Sequence, residues 1–166
     1  MARVLVLMGS DSDLPTMRKA LDTLSEFGIE AEVAVASAHR TPERVVELVR
    51  VAGGDGTCAI IAGAGMAAAL PGVVAAHTTL PVIGVPLSGS ALGGTDALYS
   101  IVQMPPGIPV ATVGIDAAAN AGLLAAQIAA VADPRIAEAL KRHRIAMAEQ
   151  VEASAQKVRE ELQRTQ

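Results

Sequence analysis

Read for its alternation of apolar and polar positions, the chain breaks into short β-branched runs separated by helical patterns. The runs predict strands over Val4–Met8, Ala31–Ala36, Cys58–Ala62, Val82–Val85 and Val110–Val113. Between them the spacing predicts helices over Leu14–Phe27, Pro42–Val51, Met66–Thr78 and Thr95–Gln103, with another over Ala117–Val131 after the last strand. Leu14, Met17, Leu21 and Leu24 form one apolar stripe on the first helix. Asp13 before Leu14-Pro15, and Thr41 before Pro42-Glu43, read as N-caps followed by an early proline.

Strands alternating with helices imply a parallel sheet covered on both faces, hence a three-layer α/β sandwich. A flavodoxin-like strand order is favoured. After Asp133-Pro134 a final helix runs to about Leu162, with Ile136, Leu140, Met147, Val151 and Val158 in an apolar stripe. That stripe can pack on its own subunit or reach a neighbour. The expected organisation is a single α/β domain over residues 1–166, with a core at 3–131 and a C-terminal helix at 134–163. No internal repeat or low-complexity tract interrupts it.

Composition narrows the partners. Hydrophobic residues make up 51% of the 166 positions, and the mean hydropathy is +0.42. No apolar stretch approaches membrane-spanning length without Gly, Pro or a polar residue, so the apolar excess points to subunit contacts and a homo-oligomer. The net charge of −4, the absence of a basic block, and a count of one Phe, one Tyr and no Trp argue against nucleic acid. The strand pattern starts at Arg3, which leaves no room for a signal peptide, and the single Cys58 reads as a buried structural thiol. The expected location is the cytoplasm.

In open parallel sheets, ligands bind beyond the carboxyl ends of the strands. Gly9-Ser10-Asp11-Ser12-Asp13 follows the first predicted strand, Ser37-Ala38-His39-Arg40 the second, Gly63-Ala64-Gly65 the third and Pro86-Leu87-Ser88-Gly89-Ser90 the fourth. These loops hold most of the distinctive polar and glycine chemistry, so they are expected to converge on one site. Gly9 permits close backbone approach, Ser10 and Ser12 offer hydroxyls beside helix N-terminal amides, and Asp13 can accept from a ligand hydroxyl. A sugar phosphate needs both donors and acceptors of this kind, although a capped turn that binds nothing has the same residues. His39 beside Arg40 places a proton shuttle next to a fixed charge suited to phosphate or carboxylate. A surface histidine beside a structural arginine is the alternative. The Gly63–Gly65 turn can present amides to an anion, while the alanines Ala67–Ala69 after it can simply permit close helix packing. His77 and His143 lie away from these loops. No His/Cys/carboxylate set has metal-ligand spacing, so no metal is expected; neither a Walker-A motif nor GxGxxG follows the first strand.

At these residues the sequence resembles the catalytic-subunit family of phosphoribosylaminoimidazole carboxylase, in its bacterial mutase branch. The resemblance is carried by "MGSDSD", "SAHRTPER", "IAGAGMAAALPGVVAAHTTLPVIGVP", "ALYSIVQMPPGIPVATVGI" and "NAGLLAAQIA", and spans residue 3 to about 130. It implies conversion of N5-carboxyaminoimidazole ribonucleotide to 4-carboxy-5-aminoimidazole ribonucleotide in purine biosynthesis, without cofactor or ATP, in a homo-octamer with sites between subunits. By matched position it implies His39 as general acid/base and Ser10, Asp13 and Arg40 as holders of the ribonucleotide. Ser12, Ser37, Gly63, Ala64 and Gly65 would line the site. The family pattern Gly-Ala-Gly-Gly-Ala-Ala-His-Leu-Pro-Gly is broken twice: Met66 replaces the fourth residue, and Ala69 stands at the histidine position. Direct carboxylation of aminoimidazole ribonucleotide by CO2, and a non-catalytic sugar-phosphate or nucleotide module on the same fold, are the alternatives.

Overall fold

The computed structural model describes residues 2–164. Strands β1 (Arg3–Met8), β2 (Glu30–Val35), β3 (Thr57–Gly65), β4 (Val82–Leu87) and β5 (Ala111–Thr112) form one parallel sheet in the order β2-β1-β3-β4-β5. This is the expected flavodoxin-like order. The crossovers carry helices α1 (Leu14–Glu26), α2 (Pro42–Ala52), α3 (Leu70–Ala76) and α4 (Thr95–Val102). After β5 come α5 (Ala118–Ala130) and α6 (Pro134–Arg164).

The run of apolar residues in β1 is explained by its central position. Successive side chains point to opposite faces, and both faces are covered. Val4, Val6 and Met8 pack with Met17 and Leu24 of α1 and the alanines of α5. Leu5 and Leu7 pack on the other face with Val45 and Val49 of α2, Val74 of α3 and Ile101 of α4. Of the rare aromatics, Phe27 is buried while Tyr99 is 62% exposed. Cys58 is half-buried, its thiol donates to the Arg3 carbonyl at 3.2 Å, and burial raises its pKa.

The structure departs from the sequence expectation at three joints. The helix expected from Met66 begins only at Leu70, because Gly63–Gly65 continue the pairing of β3 with β4 as far as Gly65 opposite Leu87. The chain then turns with Met66 at φ 55° and Ala68 at φ 38°, left-handed conformations that an α-helix excludes. Asp13 does not cap α1. It closes a 3₁₀ turn over Asp11–Asp13, in which Ser10 accepts from the Ser12 amide and Asp13 accepts from the Ser10 amide in a capping box. Thr41 gives α2 no side-chain cap either, because its Oγ1 accepts from the Ser37 amide at 2.9 Å and is turned back into the preceding loop.

Only the first part of α6 packs on the body, through buried Ile136 and partly buried Ala139 and Leu140. His143 meets Phe27 edge-on, with centroids 5.6 Å apart. Beyond it, Met147, Val151, Val158 and Leu162 are exposed. No helix among the described residues is long and apolar enough to cross a membrane.

Candidate functional site

Strand order reverses between β1 and β3, so the chain leaves their carboxyl ends in diverging directions and opens a crevice there. A cavity of about 760 Å³ occupies that end of the sheet. Its lining includes Gly9, Ser10, Ser12 and Asp13 from the loop after β1, and Ser37, Ala38, His39 and Arg40 from the loop after β2. Ala64 and Gly65 at the end of β3, and Met66 to Leu70 beyond it, form the floor. Leu87, Ser88, Gly89 and Asp116 complete the far side.

The first two loops are tied together directly. The Arg40 guanidinium donates from Nη2 to the Gly9 carbonyl at 3.0 Å and from Nε to Ser37 Oγ at 3.4 Å. Nη1 makes no hydrogen bond to the described residues, which leaves one edge of the fork for a ligand oxygen. In the other loop, Ser12 Oγ donates to Ser10 Oγ at 2.9 Å, and Ser10 Oγ donates to Asp11 Oδ1 at 3.1 Å. Both hydroxyls can rotate toward an anion.

Asp13 accepts from the Ser10 amide through Oδ2 at 3.0 Å. Burial raises its carboxyl pKa above the usual value, an effect opposed by hydrogen bonds from the Ser10 and Gly9 amides and by the charge on Arg40. His39 is exposed on the cavity wall beside Arg40.

Gly63 does not line the cavity. A Cβ built on it would lie 2.4 Å from Met17 Sδ, so this glycine gives α1 room to pack on β3. The sequence reading also passed over Thr16 and Asp116, which line the cavity. Asp116 follows a strand of only two residues and precedes an alanine-rich helix, so its position reads as an ordinary N-cap. The three histidines do not gather: His77 ends α3 and His143 lies on α6. Among the described residues no group of three or more His, Cys, Asp or Glu side chains is placed to hold a metal.

The family model described as AIR carboxylase matches residues 3–150, nearly the whole chain. The chain belongs to the AIR carboxylase family. Among AIR carboxylase relatives, an N5-carboxyaminoimidazole ribonucleotide mutase from Pyrococcus abyssi is 58% identical over 144 residues, 87% of this chain and 83% of that protein. The Thermotoga maritima protein of the same description is 53% identical over 158 residues, 95% of this chain and 92% of its own length. The crystal structure of Treponema denticola PurE superposes with a TM-score of 0.87 at 34% identity, covering 95% of this chain and 98% of that one. Within the AIR carboxylase frame, the two departures noted in the sequence fall together. Met66 and Ala69 both line the cavity, and Met66 is 63% exposed at its rim.

Proposed function

We propose that this chain is an N5-carboxyaminoimidazole ribonucleotide mutase of purine biosynthesis, working without cofactor or metal, with His39 as its general acid/base. The observation that carries the reading is the shared cavity: the imidazole after β2 and the hydroxyl/acid turn after β1 line one space, and Arg40 bridges them at the Gly9 carbonyl. Relatives of this description match over most of their length.

In this reading Ser10 and Ser12 donate to the ribonucleotide, Asp13 accepts from a hydroxyl, and the unpaired edge of Arg40 binds an anionic oxygen. Ser37, Ala64 and Gly65 line the walls. His39 protonates the carbamate nitrogen, the N–C bond breaks and CO2 leaves beside the enamine-like ring carbon. That carbon attacks the CO2, a new C–C bond forms, and the imidazole removes the ring proton to restore aromaticity. The proton gained at the end equals the one spent at the start. Imidazole suits this exchange because it changes charge near neutrality. The rest of the site retains and orients CO2 in a pocket with alanine and glycine walls.

His39→Asn is expected to lower turnover about 10²–10⁴-fold while substrate binding, read by calorimetry, persists. Full activity in that variant would remove the histidine from the mechanism. Assays of N5-carboxyaminoimidazole ribonucleotide, and of aminoimidazole ribonucleotide with added bicarbonate, separate mutase from direct carboxylase. We further infer a cytoplasmic homo-octamer. The exposed apolar face of α6 and the overall apolar excess support a subunit interface.

A further inference from the structure

The loop after β4 forms the cavity wall opposite His39. β1 and β3 lie between β2 and β4 in the sheet, so the two are separated by three strand spacings, roughly 14 Å. Two residues of this wall, Ser88 and Gly89, are exposed to the cavity. A Cβ on Gly89 would meet nothing within 4 Å.

The wall is nevertheless held at both ends. At one end Ser90 Oγ donates to Asp96 Oδ1 at 2.8 Å and accepts from the Leu92 and Gly94 amides at 3.2 and 3.4 Å. Gly94, at φ 85°, fits beneath the turn so closely that a Cβ would lie 3.0 Å from Ser88 Cα. The other end is held by a residue from a different segment. Asp116, between β5 and α5, donates its amide to the Pro86 carbonyl at 2.9 Å and accepts the Ser88 amide through Oδ1 at 3.0 Å. It therefore brackets the end of β4, continuing a ladder that β5 itself is too short to extend. It does so at φ 56°, a left-handed conformation that aspartate tolerates better than most residues but that still costs stability.

We propose that Asp116 is a positioning residue for substrate binding: its carboxylate fixes the Ser88 amide and so sets Ser88–Gly89 as the preformed far wall of the ribonucleotide cavity. The ligand's identity rests on the mutase reading, whereas the wall's rigidity does not. A preformed wall contacts bound substrate and transition state alike, so its loss falls mainly on KM.

Three substitutions separate the hydrogen bond from the backbone conformation. Asp116→Asn keeps an acceptor oxygen and tolerates the left-handed region. Asp116→Gly relieves the backbone but has no acceptor, and Asp116→Ala has neither. KM is expected to rise about tenfold in the Gly and Ala variants, the size of one ordinary hydrogen bond, with kcat changed less than threefold. Asn should recover most of the loss. Amide hydrogen exchange at Ser88 and Gly89 in the ligand-free protein should quicken in Asp116→Gly and not in Asp116→Asn. Full rescue by glycine would show that only the backbone matters and would overturn the proposal, as would unaltered KM in both Gly and Ala variants. Because glycine accommodates this φ, that variant folds even if alanine does not. A wild-type protein that turns over no N5-carboxyaminoimidazole ribonucleotide defeats the mutase reading alone, and the exchange measurement then decides the role of Asp116.

Discussion

Asp13 is held by two opposed demands. Its carboxylate closes the capping box with Ser10 at the mouth of the cavity, and its burial disfavours the charge that the proposed substrate contact would use. Its folded pKa is raised, so the folded chain holds the proton more tightly than the unfolded chain. Stability is therefore fullest below the unfolded value, 3.8, and falls as pH rises from there through the higher folded value. Asp13→Asn keeps an acceptor for the Ser10 amide without the buried charge. At pH 7 it is expected to raise Tm by roughly 2 °C, an advantage that shrinks as the pH is lowered toward 4, while affinity for the ribonucleotide drops. Thermal scans at the two pH values, paired with calorimetric titration, check both halves. An Asn variant less stable than wild type at pH 7 would count against the charge penalty.

Among the elements, α1 and α5 approach each other closely at Gly122. A Cβ on Gly122 would lie 2.9 Å from the Ala20 carbonyl and 2.8 Å from Thr23 Cβ, and backbone cannot give way as a flexible side chain does. Gly122→Ala is expected to cost about 1–3 kcal/mol in urea unfolding. Gly54→Ala, whose Cβ would meet nothing nearer than 3.8 Å, should stay within about 0.5 kcal/mol of wild type. These elements were legible in the sequence wherever period and length agreed: β1 as an unbroken apolar run, α1 from Met17 and Leu24. The Met66–Ala69 segment was not. Three of its four residues are alanines, the strongest helix formers, and the tertiary pairing of Gly65 with Leu87 overrides that preference. Asp13 and Thr41 were misread for a related reason. Both lie where a cap belongs, but each side chain bonds into the loop before its helix. All four loops placed by the strand-end rule line the cavity. Asp116 escaped it because a strand of two residues gives almost no periodic signal.

At the scale of the whole molecule, α6 is the least self-contained part. Its 31 residues span about 46 Å, yet its packing on the body of the chain ends within the first turns. Met147, Val151, Val158 and Leu162 then fall on one face at spacings of four, seven and four, a seam that fits a second helix. A chain ending at residue 146 is expected to keep its circular dichroism and to sediment as a smaller assembly than the full chain. An unchanged sedimentation coefficient would show that this seam joins no two copies of the chain.

The near absence of aromatic rings also makes the molecule optically quiet. With Phe27 buried, Tyr99 out in solvent and no indole anywhere, the protein adds little absorbance or emission of its own to that of any ligand in the cavity. A tryptophan installed in place of Met66, at the cavity rim, would be the sole indole in the chain. Its fluorescence would then register occupancy of the crevice against an almost dark background.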